Sequence, residues 1–419
     1  MSNSSVVVIG AGAAGLMAAL DLHEAGVKVT VVEARGRVGG RIHTVKFPNG
    51  RWANAGAEWV NSDHYLVREL ATSYRLSLVP ATGLEALVVN GRLELLEPEG
   101  TEQLNEALSA LGASLTDPER PWDDPVAREL DRVSVAQWLD EQNFSHMVRA
   151  TFESYIRDEY MVEASQLSLV TVALMERLED NDTAYRIASG TAVLPEAMAS
   201  DLGHERVRLN ETVTAIAHAD DGVTVTTNQG EYSADHVIVT VPLPVMADID
   251  LQPAIAIPTV SYGHGGKLMV PYQRPQWQEL AQAADDEDSE QITALTHAAV
   301  FAADFDLVYE NAPHQIGPGH VLTAYGIRPV DAEHVTTAFS TWFPSLGDPL
   351  ATPIAAWWSE ERETRCTYSA FGPGQLDALQ QLRIPHGRVH FAGEHTEVIN
   401  GFIESALRSG RRVAKRLTT

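Results

Sequence analysis

The chain has 419 residues, 44% hydrophobic and 21% charged, ordinary proportions for a folded protein with room for two or three domains. Its formal net charge of −27 argues against nucleic acid or an anionic membrane surface as a partner. No apolar run reaches the roughly eighteen residues of a membrane span, and Cys366 is the single cysteine, so no intrachain disulfide is expected and a reducing, cytoplasmic setting is.

In chain order, Val6 to Ile9 reads as a short strand buried on both faces, without a leader before it. Gly10-Ala11-Gly12-Ala13-Ala14-Gly15 follows and opens a helix that runs to about Ala25, and Val27 to Val32 forms a second strand ending on Glu33. Each glycine has a task in such a βαβ unit. Gly10 permits the tight turn, Gly12 lets the backbone approach a pyrophosphate, and Gly15 allows the helix to pack closely on the strand. The helix N-terminus, near Ala14, offers free N–H groups to phosphate. Glu33 stands where a ribose hydroxyl would donate to it, and its charge would repel a 2′-phosphate, which leaves FAD or NAD. The next run, Ala34-Arg35-Gly36-Arg37-Val38-Gly39-Gly40-Arg41, places paired glycines between arginines, as a backbone passing a phosphate requires.

Downstream, Gly56-Ala57-Glu58-Trp59-Val60 forms a turn in which Glu58 either reaches a cavity or pairs with an arginine such as Arg41. Leu130 to Leu178 reads as mainly helical, with Arg157-Asp158-Glu159-Tyr160 either on a solvated helix face or with one acid turned inward, where it would anchor a second cationic nitrogen. Val207–Leu209, Val213–Ala217, Gly222–Thr227 and Ala234–Val241 read as a meander. Lys267 heads an apolar strand after the pair Gly265-Gly266. The acidic run 285–288 reads as a solvated loop, and Ala298 to Ile327 as strand-rich. Finally, Arg388 to Thr396 reads as a strand running into the Gly393-Glu394 turn, and Asn400 to Ala406, with Gly401-Phe402-Ile403, opens a helix that continues to about Leu417.

These motifs together resemble the flavin-containing amine oxidase family from end to end. The run Glu33 to Arg41 is similar to that family's second FAD fingerprint, and Phe391-Ala392-Gly393-Glu394 with Gly401-Phe402-Ile403-Glu404 is similar to its closing signature. The resemblance implies an α/β fold. A discontinuous Rossmann-type FAD-binding domain (1–75, 191–250 and 375–419) would carry an α+β substrate domain (76–190 and 251–374). It implies FAD bound through Gly10, Gly12, Ala14, Gly15, Glu33, Ala34, Arg35, Gly40, Arg41, Gly56, Ala57, Glu58, Trp358, Gly393, Glu394, Gly401, Phe402 and Ile403. Val213 would meet the adenine through its backbone, or serve as a plain core residue.

For chemistry, the resemblance implies that Lys267 holds a water against the flavin, and that Tyr368, ten residues past Trp358, forms an aromatic cage with Phe402 around the amine. Lys267→Met should then leave packing intact. Cys366 lies two residues before Tyr368, out of register for a covalent flavin link, so non-covalent FAD is expected. The expected reaction is oxidation of a small amine with O2, giving H2O2, with L-amino acid oxidase or desaturase chemistry as the alternative. An arginine clamp for a carboxylate is missing unless Arg157 or Arg365 supplies it. No metal is expected, and a homodimer is the candidate assembly.

Overall fold

The computed structural model describes residues 4–81, 87–89, 92–94, 98–179, 183–274, 297–300, 306–311, 314–315 and 319–419. The acidic run 285–288 therefore lies outside the described residues. Strand β1 (Ser5–Ile9), helix α1 (Ala13–Glu24) and strand β2 (Lys28–Val32) form the expected βαβ unit. They sit in a five-stranded sheet ordered Val207–Arg208, β2, β1, β3 (His236–Val239), β4 (Val389–Phe391), every pair parallel. Such a sheet is covered on both faces, and Val6 to Ile9 and Val237 to Val239 are accordingly buried without interruption.

The meander reading needs correction. Val207–Arg208 leaves it for the parallel sheet, which β3 enters as the return strand to the nucleotide-binding domain that the resemblance implies, while Val213–His218, Val223–Thr227 and a further strand, Gly230–Ala234, pair antiparallel in a sheet of their own. Burial pattern separates the two groups. Val223, Val225 and Thr227 alternate with half-buried residues, which suits a sheet with one solvated face. The strand Asp250–Gln252 completes that sheet, parallel to Val213–His218.

A seven-stranded sheet stands apart, and its long strand Gly266–Tyr272, second from one edge, is buried at every residue. That strand pairs antiparallel with His320–Gly326 and with Ile354–Trp357, so Lys267 faces Tyr325 on one side and Ala356 on the other. Helix α2 (His146–Tyr160) starts on Ser145, whose hydroxyl accepts from the Val148 amide, and ends on Met161 at φ 56°. The left-handed turn redirects the chain, and the Met161 carbonyl then accepts from the His264 amide just before Lys267.

The last helix, α3 (Ile403–Thr418), lies against α1. Gly410 makes that crossing close: a Cβ there would stand 2.2 Å from the Ala14 carbonyl oxygen. Among the described residues no helix is long and apolar enough to cross a membrane.

Candidate active site

One cavity of about 940 Å³ runs from the ends of β1 and β2 to α2 and the head of the strand Gly266–Tyr272. At its first end the glycines divide their work. Gly10, at φ 103°, turns the chain out of β1. Gly15 does not line the cavity; a Cβ on it would lie 2.0 Å from the Gly10 carbonyl oxygen, so it sets helix–strand packing. Gly12, Ala14 and Gly40 do line it, and a Cβ on Gly12 would meet nothing nearer than the Gly39 oxygen at 4.0 Å. That bare backbone is the cradle a pyrophosphate requires. Glu33 is buried, its carboxylate accepting the amides of Ala11 and Arg35 at 2.8 Å each. Ala34 and Val213 line the same end, where the strand register shifts between Val213 and Ala215.

The two arginines are tied to protein groups. The Arg35 guanidinium donates to Thr364 Oγ1 at 2.7 Å and lies 3.7 Å from the Glu361 carboxylate. Arg41 donates to the Thr367 carbonyl at 2.5 Å and to Glu394 Oε1 at 2.9 Å. Glu394 also accepts from Ser369 Oγ (2.6 Å) and from the Gly401 amide (3.0 Å). Burial is the largest influence and raises the Glu394 carboxyl, but Arg41, His395 and the Ser369 hydroxyl together outweigh it and hold the group below the usual range. The helix expected at Gly401 begins at Ile403, with Phe402 as its N-cap and no side chain capping it. Gly393, Glu394, Gly401, Phe402 and Ile403 all line the cavity, so an uncapped helix end opens on it.

Lys267 is buried, its Nζ donating to the Gly56 carbonyl at 2.8 Å and to Glu58 Oε1 at 2.7 Å, with the Asn54 carbonyl at 3.4 Å. Glu58 therefore does not pair with Arg41, which Glu394 already holds. Its partners are Lys267, the Tyr309 hydroxyl, and Arg186 at 3.6 Å. Burial pushes the Glu58 carboxyl up; Lys267 and Arg186 outweigh that and keep it below the usual range. Lys267→Met would leave a buried carboxylate short of a cation, so the expectation of intact packing fails. Gly56 has no room for a side chain, since its Cβ would stand 1.8 Å from the Arg41 carbonyl oxygen. Ala57 lines the wall beside it, and buried Trp358 donates its indole N–H to the Ala55 carbonyl at 2.9 Å.

Tyr368 and Phe402 both line the cavity. The Tyr368 hydroxyl donates to the Glu159 carbonyl at 2.6 Å and lies 3.2 Å from the Tyr325 hydroxyl, while the Phe402 ring meets the His64 ring edge-on at 5.1 Å. Of the two readings of 157–160 the solvated face fails and the inward one holds, because Asp158 and Glu159 line the cavity. Burial first, then Asp158 and Glu179, raise the Glu159 carboxyl to about 8. Neither candidate clamp arginine faces the cavity: Arg157 donates to Asp306 at 2.5 Å and Arg365 pairs with Asp248. Cys366 is fully buried, donates to the Thr364 carbonyl at 3.3 Å and does not line the cavity; burial raises its thiol to about 12.

Among the described residues, Asp63, His64 and Glu179 are the group that could approach a metal ion. The Asn61 amide donates to His64 Nδ1 at 3.0 Å, which puts the ring proton on Nε2, facing Glu179 at 3.8 Å. A protonated Nε2 has no lone pair free for a metal, so the ring is not a ligand there. Sequence reasoning missed Arg186, Tyr309 and Tyr325, which complete the Lys267 surroundings. They carry no spacing pattern, and only the strand pairing Lys267–Tyr325 brings one of them to hand.

Compared with known proteins, residues 13–418 match the model of the family described as flavin containing amine oxidoreductase. The L-amino acid dehydrogenase of Synechocystis sp. is 27% identical, covering 99% of this chain and 94% of its own. The nicotine dehydrogenase of Pseudomonas putida is 29% identical over 99% of this chain and 89% of its own. Among solved structures, wild-type putrescine oxidase bound to putrescine has the same fold, with a TM-score of 0.87 at 24% identity over 99% of both chains.

Proposed function

Because this chain belongs to the flavin-containing amine oxidoreductase family, we propose that it is an FAD-dependent oxidase of small amines that reduces O2 to H2O2. The observation that best supports this reading is a single cavity joining a glycine cradle and ribose-binding carboxylate to the Lys267, Tyr368 and Phe402 wall. Bound flavin would supply the hydride acceptor for the carbon beside the amine nitrogen and hand the electrons on to O2.

The chain's residues then have separable tasks. Glu33, the Gly12 backbone and the α3 N-terminus hold the cofactor at the 1–75, 191–250 and 375–419 side. Val213, Gly56, Ala57 and Trp358 wall it in, and the Arg41–Glu394 pair ties the first segment to the last. Tyr368 and Phe402 orient the amine, their rings excluding water while the Tyr368 hydroxyl is anchored on the Glu159 carbonyl. Lys267 keeps a positive charge beside the reacting face, fixed by Glu58, where negative charge develops during oxygen reduction. The buried, off-cavity Cys366 supports non-covalent FAD and fits a reducing, cytoplasmic setting.

The amino acid alternative asks for a guanidinium facing the cavity, and the acid-paired Arg157 and Arg365 favour amines instead. Purified holoenzyme given amines and L-amino acids in parallel should release peroxide with amines only. Turnover restricted to L-amino acids would replace the amine reading, and flavin reduction without peroxide would retire the oxidase. Acid precipitation should leave the flavin in the supernatant.

A further inference from the structure

Tyr368 and Phe402 are held in different ways. Tyr368 is tied through its hydroxyl, to the Glu159 carbonyl at 2.6 Å and to the Tyr325 hydroxyl at 3.2 Å. Phe402 has no polar atom on its ring, so packing alone sets the pitch of that ring. Among the described residues the ring it meets is that of His64, edge-on at 5.1 Å with 62° between the planes.

The chain brings these two rings together where two helices begin. Phe402 is the N-cap of α3 and His64 the N-cap of the helix Tyr65–Ser73, and neither side chain caps its own helix. Buried Glu404, in the first turn of α3, instead accepts the amides of Leu66 and Val67 at 3.0 Å each. One helix thus satisfies the first N–H groups of the other, and the other puts an imidazole behind Phe402. His64 is 1% exposed, and its Nδ1 accepts from the Asn61 amide at 3.0 Å. The ring proton on Nε2 faces Glu179 at 3.8 Å, too far for a hydrogen bond, and Nε2 has no other partner. An unpaired N–H in the interior is costly, and a phenylalanine would fill the space without it. What the imidazole adds is the Nδ1 acceptor, which fixes the ring plane against the 61–64 turn.

Resting on the amine reading above, we propose that His64 is a positioning residue: pinned through Nδ1, its ring sets the pitch of Phe402 and, through Phe402, the orientation of the bound amine. His64 does not line the cavity and touches no substrate. Its partners divide the work. Asn61 holds Nδ1 with its backbone and the Glu179 carboxylate with its side-chain amide at 3.0 Å, so the turn and the acid that flank the imidazole are fixed to each other. The Glu404 bonds keep the two helix ends from sliding apart, and with them the contact between the rings.

The test separates orientation from affinity and stability, by anaerobic flavin reduction of the holoenzyme with a panel of n-alkylamines. His64→Asn keeps an acceptor for the Asn61 amide and removes the ring. Its limiting rate of reduction should fall by at least about tenfold, part of the roughly hundredfold that a misplacement of about 1 Å can cost, while Kd for the amine stays within about threefold. His64→Phe restores a ring without the pin and should recover part of that rate, although the unpaired Asn61 amide lowers its apoprotein Tm. In a Phe402→Leu background His64→Asn should change the rate by less than about twofold, because the ring it acts through is gone. Slowing of the same size with and without Phe402, no slowing at all, or a His64→Phe rate no better than that of His64→Asn overturns the proposal. Histidine-ring NMR of the wild-type apoprotein needs no variant. The ring that cross-relaxes with Phe402 should carry its proton on Nε2, and a proton on Nδ1, or no such ring, overturns the proposal even if no variant folds. If no amine reduces the flavin the amine reading falls, and the NMR result still decides whether His64 holds Phe402.

Discussion

The two ends of the cavity are built on different principles. The cofactor end is made of backbone: Gly10 at φ 103°, the bare face of Gly12, and the uncapped turn at Ile403. The α2 end is made of side chains on a regular helix, where Ser154, Glu159 and Tyr160 sit on geometry that any residues would share. A site of backbone depends on a few positions that tolerate one residue type. A site of side chains depends on charge and hydrogen bonding, and can be retuned without touching the fold.

That contrast is sharpened first by Gly15→Ala. Its Cβ would meet backbone at 2.0 Å, so the variant should lose more than about 4 kcal/mol and be recovered largely unfolded, as read by far-UV circular dichroism. A folded, stable Gly15→Ala would show that the turn is plastic. Next comes Lys267→Met, which strands the buried Glu58 carboxylate and should cost about 3–5 kcal/mol in denaturant melts. Adding Glu58→Gln should restore part of that loss, and strict additivity of the two changes would deny the coupling. Smaller still is Gly12→Ala. The position has φ −78° and room for a methyl group, so the apoprotein should melt like the wild type while flavin affinity falls by about tenfold, or about 1.4 kcal/mol. Unchanged affinity would remove Gly12 from the cradle.

The smallest effect separates the ends by pH. Glu159 is raised in the folded apoprotein, so between its ordinary value of 4.5 and about 8 the native state holds a proton that the unfolded chain has released. Its contribution to stability is therefore lost as pH rises through that window. Glu394, held low, runs the other way, and its contribution is lost as pH falls below 4.5. Apoprotein Tm plotted from pH 5 to 8 should slope less steeply downward, or more upward, in Glu159→Gln than in the wild type. Parallel curves would mean that Glu159 titrates normally.

Legibility in the sequence follows the same division. The βαβ unit, the Glu33 carboxylate and the strand-to-helix turn at 391–403 could be read because glycine spacing encodes backbone geometry directly. The arginines misled in one respect: Glu58 was open to Arg41, but Arg41 belongs to Glu394, a pairing across 353 residues that no local pattern carries. Helix α2 is legible but its inward face is not, since Asp158 and Glu159 have the composition of a solvated face and only the tertiary packing turns them to the cavity. The strand Gly230–Ala234 was missed because Glu231, Tyr232 and Ser233 alternate with too little apolar contrast to register.

The crossing of α1 and α3 at Gly410 and Ala14 has a consequence for synthesis. The first βαβ unit is translated long before its cover. At ordinary elongation rates the interval between Arg41 and Glu394, 353 residues, lasts about 20–70 s. Throughout it the small-residue face of α1 stands bare, and once residues 236–239 are made, β3 awaits its neighbour β4. The nascent chain thus displays an open parallel edge and an apolar helix face until β4 and α3 emerge, which is the surface a ribosome-associated chaperone would meet.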